Sequence, residues 1–264
     1  MANESVGRTF LVAFLVCFVC SLLVSVTAAG LRARQERDAQ LLHYRNVLEV
    51  AGLAAQERSI EELWQERVNA RMVELETGAY TDAVDPQTYD QRRAATDPER
   101  NYLIPAEKDL ADIRTRSRYA PVYLIENEAG EVTQLILPVH GKGLWSTLYG
   151  YLSLAPDLNT VHGFGFYEHG ETPGLGGEID NPKWQAKWPG KKLYDEQGRP
   201  KVEVIKGQVD PQSSDARYKV DGISGATMTS RGVTNLLRYW LGDDGFGTYI
   251  KNLRAQGGLH GQGA

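Results

Sequence analysis

Residues 9–29, near the N-terminus, form an apolar segment that contains no charged residue. An α-helix rises about 1.5 Å per residue, so about 20 apolar residues span a bilayer core about 30 Å thick. The segment therefore predicts a transmembrane helix, and the rest of the chain is then a domain attached to a membrane. Residues 1–8 form a short extension on the other side.

A cleavable signal peptide is the alternative interpretation, because Arg8 precedes the segment and small residues surround Ala28. The apolar part of a signal peptide usually has about 7–15 residues. This one is longer, so we favour a retained anchor. The flanking charges leave the orientation open: Arg32, Arg34 and Arg37 favour a cytoplasmic domain, but long domains cross the membrane regardless of such charges.

Composition and spacing exclude several classes of function. The net charge is -5 and the basic residues are scattered, which argues against nucleic-acid binding. Cys17 and Cys20 both lie in the apolar segment, where we interpret them as small apolar residues, so the soluble part has no disulfide. The five histidines lack metal-ligand spacing, and no G-x-G-x-x-G opens a helix. Neither a metal site nor an NADH site is predicted.

The region after the anchor has apolar residues at helical intervals. This spacing predicts helix over residues 35–76, with Val68 and Met72 among the apolar positions. Ser59 and Glu62 match a capping box, which would begin a second helix within this region.

Residues 77–117 contain three prolines among many polar residues and predict an irregular connection, with a short helix over 107–115. We group residues 30–117 as a helical and irregular region. From residue 118 the pattern is typical of a hairpin and further strands, at residues 121–126, 132–139, 148–154, 161–167 and 202–205.

Apolar residues at helical spacing then predict a helix from about Thr229 to Gly242, followed by a short helix over 246–253. The glycine-rich residues 255–264 predict a flexible tail. The expected fold is α+β, a largely antiparallel sheet with flanking helices, plus one N-terminal transmembrane helix.

The stretch from Asp221 to Ser230, DGISGATMTS, immediately precedes the amphipathic helix. Gly225 and Ala226 allow a bulky group to approach the backbone closely. The N-terminus of the helix offers unpaired N–H groups and a positive dipole end, so a phosphate would be well placed at Thr227. The alternative is that hydroxyl residues such as Ser224 only cap the helix, although a cap does not require so many specified positions.

This stretch resembles the D-x-x-S-G-A-T pattern at which a flavin transferase attaches FMN to threonine through a phosphoester bond. The stretches GKGLWS at 141–146, APDLN at 155–159 and YEHGETPGLGGE at 167–178 resemble the C subunit of the Na+-translocating NADH:quinone reductase. The resemblance covers most of residues 118–254, which we therefore expect to be an FMN-binding domain, together with the single anchor.

The resemblance implies that FMN is bound covalently to Thr227 and that the cofactor, not a catalytic side chain, performs the redox chemistry. The residues implied to contact the flavin are Ser224, Gly225, Ala226, Glu171, Thr172, Gly174, Leu175 and Gly176. The loop that begins at Glu171 could instead be purely structural. Trp145 could stack on the flavin ring or fill the core, and Lys206 could pair with the phosphodiester or be a solvated surface residue.

The resemblance also implies an electron-relaying component of a complex with subunits A, B, D, E and F. NADH would be oxidised and quinone reduced in other subunits, and Na+ moved by the membrane subunits. The chain would cross the bacterial inner membrane once, with residues 1–8 cytoplasmic and the soluble domain periplasmic.

Two other functions remain open. The ETPGLG and SGAT elements also occur in the G subunit of the Rnf electron-transport complex, but the GLWS element and the long N-terminal helical region favour the reductase. The chain could also be an anchored assembly module without redox function, in which the hydroxyl-rich stretch only caps a helix.

Overall fold

The computed structural model describes residues 6–54 and 58–261, in two units, residues 1–44 and 45–264. Residues 6–44 of the first unit belong to helix α1 (Val6–Val50), the one helix among the described residues that is long and apolar enough to cross a membrane. Its apolar side chains, such as Phe14 and Phe18, are exposed. The predicted anchor at 9–29 lies within α1, and residues 1–5 of the predicted cytoplasmic segment lie outside the described residues.

The second unit is built on an antiparallel sheet with the strand order β2-β1-β5-β6-β7-β8. The strands in chain order are β1 (Val68–Glu74), β2 (Ala79–Tyr80), β3 (Asn101–Leu103), β4 (Thr115–Ser117), β5 (Tyr119–Glu126), β6 (Val132–Lys142), β7 (Thr147–Leu154), β8 (Val161–Glu168), β9 (Glu203–Val204) and β10 (Lys219–Val220). Two short pairs, β3 with β4 and β9 with β10, lie outside the large sheet.

The helices of this unit after α1 are α2 (Ile60–Arg67), α3 (Gln91–Thr96), α4 (Pro182–Gln185), α5 (Thr227–Trp240) and α6 (Gly247–Ala255). Alternate residues of β6 face opposite sides of the sheet, as the strand repeat requires. Leu135, Leu137 and Val139 join the core that includes α5, and Ile136 joins the smaller core that includes Val47. The α+β prediction is confirmed.

Helix α5 packs closely on β6, and this contact positions the start of the helix. The predicted apolar face of the helix is confirmed, since these residues are at most 1% exposed: Val233, Leu236, Leu237, Trp240 and Leu241. Trp240 donates from Nε1 to the carbonyl of His140, at 2.6 Å. A Cβ at Gly141 would lie 2.5 Å from Cβ of Leu236. A larger residue at position 141 would therefore keep α5 from packing this closely on β6.

The helix predicted over residues 35–76 is partly wrong. The Ser59 cap is confirmed, because its Oγ accepts from the N–H of Glu62 at 3.1 Å. However, α2 ends at Arg67, and Val68–Glu74 is the strand β1, paired with β5 over seven residues. The apolar residues of Val68–Glu74 fit the repeat of a helix as well as that of a strand. Pairing with the distant strand β5 makes the segment a strand.

The short helix predicted over 107–115 is also wrong. The segment forms turns, in which the carboxylate of Asp109 accepts from the N–H groups of Ile113 and Arg114. Local side-chain bonds of this kind compete with helix formation. At the C-terminus the structure differs from the predicted tail: Gly258–Gly261 form a 3-10 turn and Leu259 is buried, while residues 262–264 lie outside the described residues.

Candidate functional site

The stretch DGISGATMTS forms a tight turn that leads directly into α5. The N–H of Ala226 bonds to the carbonyl of Ile223 at 3.1 Å, and Gly225 has φ +72°, a conformation that favours glycine. Helix α5 begins at Thr227. Ala226 occupies the N-cap position, and no side chain caps it among the described residues. The interpretation that a hydroxyl of this stretch serves as the N-cap is therefore wrong.

The hydroxyl residues of this stretch differ sharply in exposure. Thr227 and Ser224 are exposed, whereas Thr229 is completely buried and Ser230 is 4% exposed. Oγ1 of Thr229 donates to Oε2 of Glu171 at 2.6 Å, and Oγ of Ser230 accepts from the N–H of Ile223 at 3.4 Å. Within the first turn of α5, the side chain of Thr227 is thus presented to solvent while those of Thr229 and Ser230 are held inside.

The carboxylate of Glu171 joins three segments of the chain, and we call this arrangement the carboxylate cluster. Oε1 accepts from the N–H groups of Trp145 (2.9 Å) and Ser146 (3.3 Å), and Oε2 accepts from Leu144 N–H (3.2 Å) and Thr229 Oγ1. Burial raises the pKa of Glu171, but the hydrogen bonds from Thr229 and the three N–H groups outweigh it and hold the pKa below its usual value. The carboxylate is therefore ionised at neutral pH.

Glycines make this cluster sterically possible. A Cβ at Gly143 would lie 2.6 Å from Oε1 of Glu171, and a Cβ at Gly176 would lie 2.6 Å from Oγ1 of Thr229. The loops are further joined by a hydrogen bond of 2.6 Å from the N–H of Gly170 to Oγ of Ser146. The 143–146 and 170–176 loops thus pack on one another and on α5.

Four exposed apolar side chains belong to these same loops and to the start of α5. We call them the apolar rim: Leu144 (43% exposed), Trp145 (68%), Leu175 (45%) and Met228 (50%). A Cβ at Gly225 would lie 2.8 Å from Cδ2 of Leu175, so the glycine-rich loop touches the hydroxyl-bearing turn directly. The interpretation of Trp145 as a core residue is wrong. Clustered exposed apolar groups are characteristic of ligand or partner sites.

The other residues singled out from the sequence lie in the 170–176 loop or in the segment that contains Lys206. Thr172 and Gly174 are exposed, Gly174 with φ +76°, and Gly176 is buried within the carboxylate cluster. Lys206 is exposed, and the next residue, Gly207, accepts through its carbonyl from the N–H of Gly222 at 2.8 Å. The segment carrying Lys206 therefore runs beside the start of the DGISGATMTS stretch, and the link is through backbone groups.

The sequence pattern specifies Asp221 but not Thr229 and gives neither residue a role of its own, whereas the structure gives a role to each. The carboxylate of Asp221 accepts from the N–H of Val209 (2.8 Å) and from Nζ of Lys187 (2.6 Å), and its carbonyl accepts from Nε1 of Trp184 (2.9 Å). Asp221 fixes the entry to the turn, and Thr229 fixes its exit. Both lie in the stretch that the sequence singles out, but their partners are 12 to 58 residues away in the chain.

Known proteins resemble this chain over almost its whole length. A family model described as an FMN-binding domain matches residues 143–242. The chain is 53% identical over 258 residues to the Na(+)-translocating NADH-quinone reductase C subunit of Pseudomonas aeruginosa, covering 96% of this chain and 98% of that protein. It is 45% identical to the protein of the same name in Vibrio alginolyticus, covering 96% of each. The crystal structure of Shewanella oneidensis NqrC matches with a TM-score of 0.76 and 36% identity, over 84% of this chain and 99% of that one.

Proposed function

The chain belongs to the family of the Na(+)-translocating NADH-quinone reductase C subunit and contains an FMN-binding domain, and from this premise we propose that it relays electrons through an FMN esterified to Thr227. The relationship to the reductase protein extends over 96% of the chain, including the N-terminal region, and favours this assignment over the Rnf complex. The bound FMN supplies the redox chemistry, and the chain supplies its position and surroundings.

The observation that carries the proposal is that Thr227 is exposed at the first position of a helix whose N-terminus is capped by no side chain of residues 6–54 and 58–261. The first N–H groups of a helix lack intrahelical partners and, with the helix dipole, favour an anion such as a phosphodiester. Gly225 and Ala226 leave room for it beside the backbone. Thr229 and Ser230 are buried, which supports Thr227 as the acceptor in preference to them.

The surroundings of Thr227 fit the rest of a flavin nucleotide. The apolar rim offers Trp145 and Leu175 to a flat aromatic ring, and aromatic side chains prefer offset stacking or edge contacts with such rings. Thr172, Gly174 and Gly176 belong to the loop that carries Leu175, and Ser224 lies three residues before the acceptor. Exposed Lys206 supplies a positive charge for the phosphodiester. Glu171 has its carboxylate occupied by protein donors and contributes to the site through them.

We extend the proposal to the setting of the domain. The chain would cross the bacterial inner membrane once, with residues 1–8 cytoplasmic, residues 118–254 forming the flavin domain on the periplasmic side, and subunits A, B, D, E and F as partners. The apolar helix within α1 supports a membrane anchor. A covalent bond, formed by a flavin transferase, would keep the cofactor in place where the cytoplasmic FMN pool cannot replenish it.

The test is to express the chain with a flavin transferase and measure its intact mass and its fluorescence on a denaturing gel. We expect one FMN phosphoryl unit on the wild type and none on Thr227→Ala, because the ester oxygen is removed. Ser214→Ala, which removes an exposed hydroxyl outside the D-x-x-S-G-A-T pattern, should remain fluorescent. An unmodified wild type would refute the proposal, as would a Thr227→Ala variant that still carries flavin. The first result would leave the anchored assembly module as the better interpretation, and the second would leave a flavoprotein whose flavin is attached to another residue.

A further inference from the structure

We propose that Glu171 and Thr229 are positioning residues for flavin attachment. Their buried hydrogen bond fixes the first turn of α5 against the 143–146 and 170–176 loops, and this orients the hydroxyl of Thr227 for attachment. The inference rests on the proposed function. It holds that the orientation of Thr227, the acceptor, is set by two residues that do not themselves carry the ester.

The hydrogen bonds of Glu171 show that it acts through other residues. An ionised carboxylate has two oxygens with about four acceptor positions. Here it receives four hydrogen bonds, from the consecutive N–H groups of residues 144–146 and from Thr229. Glu171 is also only 5% exposed. Its negative charge is therefore used to order the loop that carries Leu144 and Trp145.

Thr229 is the residue that sets the rotation of the helix. Successive residues of an α-helix point in directions about 100° apart, because a turn has about 3.6 residues. Thr227 and Met228 are exposed, and Thr229 is the first residue of α5 whose side chain is completely buried. Fixing Oγ1 of Thr229 on the Glu171 carboxylate therefore also fixes the direction in which the Thr227 hydroxyl points.

The neighbouring glycines explain why the cluster has little freedom to rearrange. Gly176 lies against both Oγ1 of Thr229 and Oε2 of Glu171, since a Cβ there would be 2.6 Å and 2.8 Å from them. The adjacent residue, Leu175, contacts Gly225 in the turn that leads into Thr227, which we call the acceptor turn. A displacement of Glu171 or Thr229 would therefore be transmitted to the turn that contains the acceptor, as well as to the apolar rim.

The experiment compares Thr229→Val, which keeps the shape but lacks the hydroxyl, with Thr229→Ser, which keeps the hydroxyl. Glu171→Gln is a second variant at the other partner. Thr234→Val is the matched control, because Thr234 is also a buried threonine of α5 whose hydroxyl makes two hydrogen bonds, to Ser230 and Val204. The full chain in detergent is incubated with a flavin transferase and FAD. The Thr227 hydroxyl would displace AMP from the FMN phosphoryl group of FAD, so that one phosphoester bond forms, the phosphoanhydride bond breaks, and AMP and a proton are released. Covalent fluorescence is followed per mole of folded protein.

We expect Thr229→Val and Glu171→Gln to load flavin about tenfold more slowly than the wild type, the size of effect that losing a hydrogen bond to a charged group can produce. Thr229→Ser should restore the rate, and Thr234→Val should load like the wild type despite its lost hydrogen bonds. Wild-type loading by Thr229→Val would overturn the proposal. So would equally slow loading by Thr234→Val, since the effect would then follow from any loss of packing in α5.

A second measurement separates this inference from the proposed function. Amide hydrogen exchange of residues 144–146 is measured on the unmodified proteins, where no flavin is involved. Faster exchange at these amides in Thr229→Val and Glu171→Gln, but not in Thr234→Val, supports the ordering of this loop by the bond between Glu171 and Thr229; if the wild type takes up no flavin, the proposed function fails and the role in flavin attachment fails with it, while the ordering of the loop stands. Unchanged exchange at all three amides overturns the positioning role even if the wild type is fully flavinylated.

Discussion

The two ends of helix α5 are held in place by different physical forces. Its C-terminal half is held by apolar burial, with Leu236, Leu237 and Trp240 completely inaccessible to solvent. Its first turn is held by hydrogen bonds to a buried charge and by close contacts with glycines, while Thr227 and Met228 face solvent. The C-terminal half therefore determines whether α5 packs on the sheet, and the first turn determines which side chains the helix exposes to solvent.

The two forces respond differently to substitution. Apolar burial is nondirectional and proportional to area, so changes in the C-terminal half should alter stability and leave the geometry of the first turn intact in the molecules that fold. Hydrogen bonds are directional, so changes in the first turn should alter geometry at a smaller cost in stability. Substitutions in and around the two ends can therefore test whether they are separable.

The largest effect is expected for Trp240→Ala. The substitution removes a completely buried ring that lies 5.4 Å from the ring of Phe246, together with its hydrogen bond to His140. We expect the free energy of unfolding to fall by about 3–5 kcal/mol, measured by denaturant titration of the full chain in detergent. Flavin loading per folded molecule should be unchanged.

Trp145→Ala is the matched control for that variant, because the same residue type is 68% exposed there. Its stability should stay within about 0.5 kcal/mol of the wild type, while its flavin environment should change. A Trp240→Ala protein that folds but no longer accepts flavin would show that the two ends of α5 are not separable.

An intermediate effect is expected for the pH dependence of stability. The pKa of Glu171 in the folded chain lies below 4.5, its usual value, so the folded state favours the ionised form. The resulting stabilisation is present above pH about 4.5 and is lost as the pH falls through the lower folded-state pKa. Glu171→Gln should therefore be less stable than the wild type at neutral pH, by about 1.5–3 kcal/mol for a hydrogen-bonded charge. The difference should shrink towards zero in acid.

The control for this pH dependence is Asp195→Asn. The pKa of Asp195 is also lowered, by the N–H and guanidinium of Arg199 and the N–H of Gln197, and not by the carboxylate cluster. This variant should change the acid limb of the stability profile without accelerating amide exchange at residues 144–146. If the stability difference between Glu171→Gln and the wild type grew as the pH fell, the prediction that ionised Glu171 stabilises the folded state would be wrong.

The same contrast explains what the sequence could and could not predict. The spacing of Val233, Leu236, Leu237 and Trp240 predicted the docked face of α5, because burial of a helix face leaves a local period in the sequence. The DGISGATMTS stretch could be singled out because small residues next to a hydroxyl are also a local signal. The bond between Glu171 and Thr229 joins residues 58 positions apart, and no local pattern encodes such a pairing. The strand β1 was misassigned for the same reason, since its partner β5 is also distant in the chain.

The smallest effect is expected for Lys206→Ala, at the edge of the acceptor turn. Because Lys206 is exposed, removing it should leave the free energy of unfolding within about 0.5 kcal/mol of the wild type. An exposed charge pair contributes about 0.2–1 kcal/mol, so flavin loading should slow by about 1.4- to fivefold. Added salt should reduce the difference by screening. Lys183→Ala removes another exposed lysine, in α4, and should load like the wild type. Equal loading by the two variants at low salt would mean that the helix N-terminus holds the phosphodiester without Lys206. The orientation of Thr227 would then depend on the first turn of α5 and not on the segment that contains Lys206.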